Sequence, residues 1–160
     1  MIYLDNAATT YPKPPSVARA MTKCIKEYCG NPGRSAHPLA LRSAEAVFDT
    51  RSEICALFGT GKQENVIFCY NATHAINKVL SGLVRSGDGV ITTNIEHNSV
   101  RRPVAALCAL RGASYDMVNA LLPEDELIAE IESKITSRTR IVAALHASNV
   151  CSAVLPVRRI

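Results

Sequence analysis

The stretch VIFCYNATHAINKVLSGLVRSGDGVITT, Val66 to Thr93, decides the fold. It opens with a short β-rich run, Val66-Ile67-Phe68-Cys69, and crosses a polar tetrad, Asn71-Ala72-Thr73-His74. It then enters a helical pattern and leaves through a second β-rich run, Gly89 to Thr93. A strand, a helix over about 73–84 and another strand predict a βαβ unit. The alternation continues with a helix Val100 to Leu110, a strand Ser114 to Val118, a helix Pro123 to Ile135 and a strand Arg140 to Leu145. Strands alternating with helices imply a mostly parallel sheet with helices on both faces. Upstream, Val17, Ala18, Met21, Ile25 and Tyr28 recur at three and four residues. They predict an amphipathic helix from Ser16, near its N-cap, to Tyr28, stopped by Gly30. The loop GNPGRSAHP leads to a longer helix, about Leu39 to Phe58. At the other end, Val154 to Ile160 reads as a Pro-initiated helix that stops almost at once.

The bulk numbers bound the function. At 160 residues and 48% hydrophobic the chain can bury a sizeable core. A net charge of +4 is spread along the chain with no basic run longer than two residues, so nucleic acid is not implied as a partner. Aromatics at 5% and no Trp leave few rings for stacking bases. The start MIYLDNAATT lacks the basic and apolar regions of a leader, and no stretch reaches the length of a membrane span. The expected location is cytoplasmic. Six cysteines without a CxxC, and four histidines without finger-like spacing, imply neither a disulfide framework nor a metal site; most of the cysteines are expected to be buried, reduced thiols.

In a parallel α/β sheet, ligands sit beyond the carboxyl ends of the strands. Three polar clusters fall there: Asn71-Ala72-Thr73-His74, Glu96-His97-Asn98-Ser99 and His146-Ala147-Ser148-Asn149. They are expected to converge on one pocket. At the first, a helix N-terminus offers free N–H groups and the positive end of the macrodipole, an anion site in which Ala72 leaves room for a phosphate and Thr73 adds a hydroxyl. The alternative is that Thr73 only caps its own helix. No GxGxxG and no GxxxxGK[ST] occurs. His97, between a strand end and a helix start, suits stacking and proton transfer, or is a surface residue. Asn149 orients a ligand oxygen, or forms a turn. Arg34 and His37 lie in a Gly/Pro loop that faces a carboxylate or is solvated.

Five segments taken in order, IYLDNAATTYPKP, GNPGRSAHPLAL, VIFCYNATHAINKVLSGL, GDGVITTNIEHNSVRRP and HASNVCSAVLPV, span nearly all of the chain. Together they resemble the class V aminotransferase family of pyridoxal-phosphate enzymes, within it the cysteine desulfurase and selenocysteine lyase group. The resemblance implies the large domain of a fold-type I enzyme, normally a homodimer. Residues 1–30 would be an N-terminal arm and helix, and 31–160 βα units of that large domain. It implies that Ala72 and Thr73 hold the phosphate of pyridoxal 5'-phosphate, that His97 stacks on the ring and moves protons, and that Asn149 contacts the cofactor near its phenolic oxygen. It also implies the chemistry. L-cysteine displaces a lysine from the cofactor aldehyde, and a cysteine thiolate on a mobile loop takes the substrate sulfur, leaving alanine and an enzyme persulfide for a sulfur-acceptor protein.

In the family the aspartate that pairs with the pyridine nitrogen, the lysine and the sulfur-accepting cysteine lie after the HASN segment. None of the lysines or cysteines of this chain matches them. The 160 residues are therefore expected to be the N-terminal piece of a longer enzyme, inactive alone. Two rivals remain open: another class V enzyme acting on a small amino acid, and a non-catalytic module derived from the family. Cys151-Ser152-Ala153 departs from the small hydroxyl and glycine residues usual in the family, beside Asn149.

Overall fold

The computed structural model describes residues 2–160. The chain gathers into two compact units that divide between Ile67 and Phe68.

The first unit holds α1 (Pro15–Glu27), α2 (Pro38–Phe58) and a short 3-10 turn at Gln63–Asn65. Both helices start with Pro in their first turn, where the missing N–H has no intrahelical partner to lose. Pro14, not Ser16, occupies the N-cap of α1. His37 caps α2, its Nδ1 accepting from the Ala40 amide at 3.2 Å. Ser43, buried in α2, donates to the Tyr28 carbonyl at 2.5 Å and accepts from the Gly30 amide at 3.1 Å, tying the end of α1 to α2. Gly30 is required there: a Cβ would stand 2.7 Å from the Leu39 carbonyl carbon.

The second unit carries the sheet. Its elements are α3 (Ala72–Leu83), β1 (Gly89–Thr93), α4 (Asn98–Arg111), β2 (Ser114–Val118), α5 (Glu124–Lys134) and β3 (Thr139–Ala143). The three strands are parallel in the order β2-β1-β3. β1 is central and buried from Val90 to Thr93. Side chains alternate across a strand, so Val90 and Ile91 face opposite ways, and each seeds a core. Val90 joins Leu80, Val84, Val100, Val104 and Cys108, which places α3 and α4 over one face. Ile91 joins Val118, Ala120, Leu127, Ile131 and Leu155, which places α5 over the other. The expected parallel sheet with helices on both faces is what forms. Arg111, in the last turn of α4, donates to the carbonyls of Ser81 at 2.8 Å and Val84 at 2.5 Å and so satisfies the open end of α3.

Three expectations fail. Val66-Ile67-Phe68-Cys69 is not a strand; Val66 is extended at φ −100°, ψ 115°, but residues 66–69 are not part of the β2-β1-β3 sheet. β-rich composition favours extended backbone, whereas membership of a sheet is decided by tertiary context. Val154 to Ile160 is not a helix: Val154 bridges Ala147, and the rest makes turns, with Arg159 and Ile160 bonding back to the Pro156 carbonyl. Of the six cysteines, all free, only Cys55 and Cys108 are buried, while Cys29 and Cys151 are exposed.

Leu127 is 1% exposed at the centre of the α5 core. Leu127→Ala is expected to destabilise the second unit by about 2–5 kcal/mol, the usual cost of a large-to-small change with its cavity. A denaturant melt should show the midpoint falling with an unchanged slope.

Candidate functional site

The three polar clusters sit at the start of α3, between β1 and α4, and beyond β3. Asn71 opens α3. Its Oδ1 accepts from the His74 amide at 2.8 Å and its carbonyl from the Ala75 amide at 3.1 Å. The N-cap is therefore Asn71, which corrects the alternative that gave this role to Thr73. The consequence is chemical. The N–H groups of Ala72 and Thr73 and the Thr73 hydroxyl are exposed and have no acceptor among the described residues. They form a donor set at the positive end of a 12-residue helix.

The second cluster is pinned on both sides. On the β2 side, the Asn94 amide donates to the Val118 carbonyl at 2.9 Å, and Asn94 Oδ1 accepts from the Ala120 amide at 3.0 Å. On the β3 side, the buried Glu96 Oε1 accepts from the Thr93 hydroxyl at 2.7 Å and from the Leu145 amide at 2.8 Å. His97 follows as the N-cap of α4. Its Nδ1 accepts from the Ser99 amide at 3.1 Å and lies 2.8 Å from the Ser99 hydroxyl. Because Nδ1 accepts, the neutral ring carries its proton on Nε2. That nitrogen has no partner among the described residues.

The third cluster lies in a tight reversal closed by the antiparallel bridge Ala147–Val154. Ser148 is buried, and its hydroxyl accepts from the amides of Val150 at 3.2 Å and Cys151 at 3.3 Å. Its backbone bonds Ala153 and Ser152 at 2.8 and 3.1 Å. Asn149 is exposed in this turn. Ser152 has φ 57°, the one positive-φ residue other than glycine among the described residues. The backbone there takes a conformation that glycine adopts without cost and serine does at roughly 1 kcal/mol or more.

A hollow of about 450 Å³ opens between these elements, a size ordinary for a small-molecule site. It is lined by Ala75, Ile76, Val79 and Leu80 of α3, by Glu96, His97, Ser99 and Val100, and by residues 141–145 of β3 and its end. The second cluster thus faces α3 and the end of β3 across a mostly apolar wall. Of the residues singled out in the sequence, His97 lines the hollow; Ala72, Thr73 and Asn149 are exposed and are not among its lining residues. Arg34 is exposed and His37 is used as a cap. Among the described residues no three His, Cys, Asp or Glu side chains gather to hold a metal ion. Sequence reasoning missed the roles of Asn94 and Ser148, and knew Glu96 only as an acidic neighbour of His97. The available signal was their position, a capping-type residue or an acid at the end of a β-rich run.

Comparison with known proteins agrees on one relationship. The family described as Aminotransferase class-V matches residues 2–160. A probable cysteine desulfurase from Methanothermobacter thermautotrophicus is 37% identical over 99% of this chain and 39% of its own length. The apo structure of a cysteine desulfurase from Thermococcus onnurineus superposes with a TM-score of 0.80 at 27% identity, over 92% of this chain and 37% of that one. A C-DES variant with glycine covalently linked to its PLP cofactor superposes at 0.72 and 24% identity, a likeness of fold, over 92% of this chain and 38% of that one. The chain spans about two fifths of the length of these relatives.

The reversal beyond β3 makes a checkable statement about Cys151. A hydrogen bond from Ser148 and backbone bonding at Ala153 hold its thiol below the usual range, whereas burial pushes Cys108 up and burial with the neighbouring Cys29 pushes Cys24 up. A lower pKa means more thiolate near neutrality, so Cys151 should be alkylated by iodoacetamide at lower pH than Cys24 and Cys108. Ser148→Ala should move its rate profile to higher pH, read by peptide mass spectrometry.

Proposed function

The chain belongs to the class V aminotransferase family, and from that premise we propose that the whole protein is a pyridoxal 5'-phosphate-dependent cysteine desulfurase. The substrate is L-cysteine, the products are alanine and an enzyme persulfide, and a sulfur-acceptor protein takes the sulfur. The enzyme works as a homodimer in the cytoplasm. The similarity to a relative named probable cysteine desulfurase supports the substrate class.

The observation that carries the cofactor is the α3 N-terminus. Because Asn71 satisfies the amides of His74 and Ala75, those of Ala72 and Thr73 stay free beside a hydroxyl. Two N–H donors and an O–H donor at a helix start suit a phosphate dianion. When bound, the cofactor supplies an electron sink that weakens the bond between hydrogen and the substrate Cα.

The residues of this chain then have separate tasks. Ala72 and Thr73 would hold the phosphate and fix one end of the cofactor. His97 would meet the ring; with Nδ1 committed to Ser99, proton movement would fall to Nε2. Asn149 orients the ring oxygen through its amide. Val79, Leu80, Val100 and Leu145 give the hollow beside His97 apolar walls. The Schiff-base lysine and the sulfur-accepting thiol belong to the remainder of the protein.

The test uses the whole protein reconstituted with pyridoxal phosphate. A visible absorbance that borohydride makes permanent, with sulfide and alanine released from L-cysteine, is the expected result. Transamination without sulfide would instead favour a class V enzyme of a different small amino acid. Thr73→Val should weaken cofactor binding by about 10–100-fold, the value of one hydrogen bond to a charged group. Unchanged affinity in an equilibrium titration would remove Thr73 from the phosphate site.

A further inference from the structure

We infer that Glu96 is a positioning residue, which sets His97 and the 146–149 segment relative to each other through one carboxylate oxygen. The use made of that geometry rests on the reading in which His97 meets the cofactor ring. The link itself does not.

Glu96 is 7% exposed, and its carboxylate is bonded by donors 52 residues apart, the Thr93 hydroxyl at 2.7 Å and the Leu145 amide at 2.8 Å, both on Oε1. β1 and β3 are adjacent parallel strands, so Thr93 and Leu145 stand at neighbouring carboxyl-terminal ends. An acidic side chain this deep is tolerated because it is hydrogen-bonded. Leu145 lies just past β3, where no strand partner takes its amide; Glu96 is its acceptor.

The two flanking segments inherit this geometry. His97 is the next residue, and Ser99 fixes its ring through Nδ1. Its backbone is held by Glu96 on one side and by the first turn of α4 on the other, where the amides of Val100 and Arg101 donate to the His97 carbonyl at 2.9 and 3.1 Å. On the far side of the link, His146 follows Leu145, and its carbonyl accepts from the Leu155 amide at 2.9 Å to close the reversal that carries Asn149. A single oxygen therefore spans the gap between the two loops that hold the proposed ring contacts. Glu96 also lines the hollow, and its Oε2 takes no hydrogen bond from the described residues.

Three variants of the whole protein test this: Glu96→Ala, Glu96→Gln and Thr93→Val. The readouts are hydrogen exchange at the Leu145 amide, the visible circular dichroism of bound cofactor, and kcat and KM for L-cysteine. Glu96→Ala should speed Leu145 exchange by roughly 10-fold or more, since that amide loses its acceptor. It should flatten the cofactor signal and lower kcat by about 10–100-fold while KM moves less than about 3-fold, the pattern of misplaced reacting groups. Glu96→Gln keeps an oxygen for both donors and should recover Leu145 protection and most of kcat. Thr93→Val removes one donor and should fall between. It also decides the matter, with the same readouts, if Glu96→Ala does not fold. Unchanged Leu145 exchange would overturn the link. Faster exchange with unchanged kcat and dichroism would overturn the positioning role. Wild-type protein that binds no cofactor would defeat the functional reading, and Leu145 exchange would still decide the link.

Discussion

The structure depends on β1 being covered on both faces at once. Val90 and Ile91 are adjacent in sequence and equally buried, yet belong to different cores. A strand in that position cannot end a sheet or face water; it requires helices above and below and a strand on each side. α3 with α4, α5, β2 and β3 meet those four requirements. The carboxyl end of β1 is where the loop to α4 begins, and the polar residues Asn94, Glu96 and His97 gather there.

What that rim can do follows from which backbone groups are satisfied and which are left over. At α3 the cap takes the third and fourth amides and leaves the first two. At α4 the capping residue is itself a histidine, so the act of starting the helix also fixes the tautomer of a ring. Beyond β3, Ser148 consumes the amides inside the reversal and leaves the side chain of Asn149 exposed. In each case local folding chemistry selects the functional group that stays available.

Much of this was legible in the sequence, and the failures share a cause. The helices of the βα region and β1 to β3 were found within about two residues, because apolar periodicity records which face is buried. His97 was found as a residue at a helix start. Residues 66–69 are β-rich in sequence yet lie outside the sheet, because composition records extended backbone and not sheet membership. Thr73 was weighed as the cap because Asn71 and Thr73 are both good caps two residues apart; where the chain turns into the helix decides between them. The bond from Glu96 to Leu145 joins residues 49 apart, and no local pattern encodes it. The cysteines were expected inside because thiols favour burial in general, but Cys151 sits in a reversal whose polar groups are consumed locally.

The guanidinium of Arg111 fastens the C-terminal ends of α3 and α4, while Ala72, Thr73 and His97 sit at the opposite ends. A 12-residue helix is about 18 Å long, so the Arg111 tie lies about that far from the residues at the helix starts. The spacing of the two helix starts is set by how Leu80 and Val84 mesh with Val100, Val104 and Cys108 between the helices.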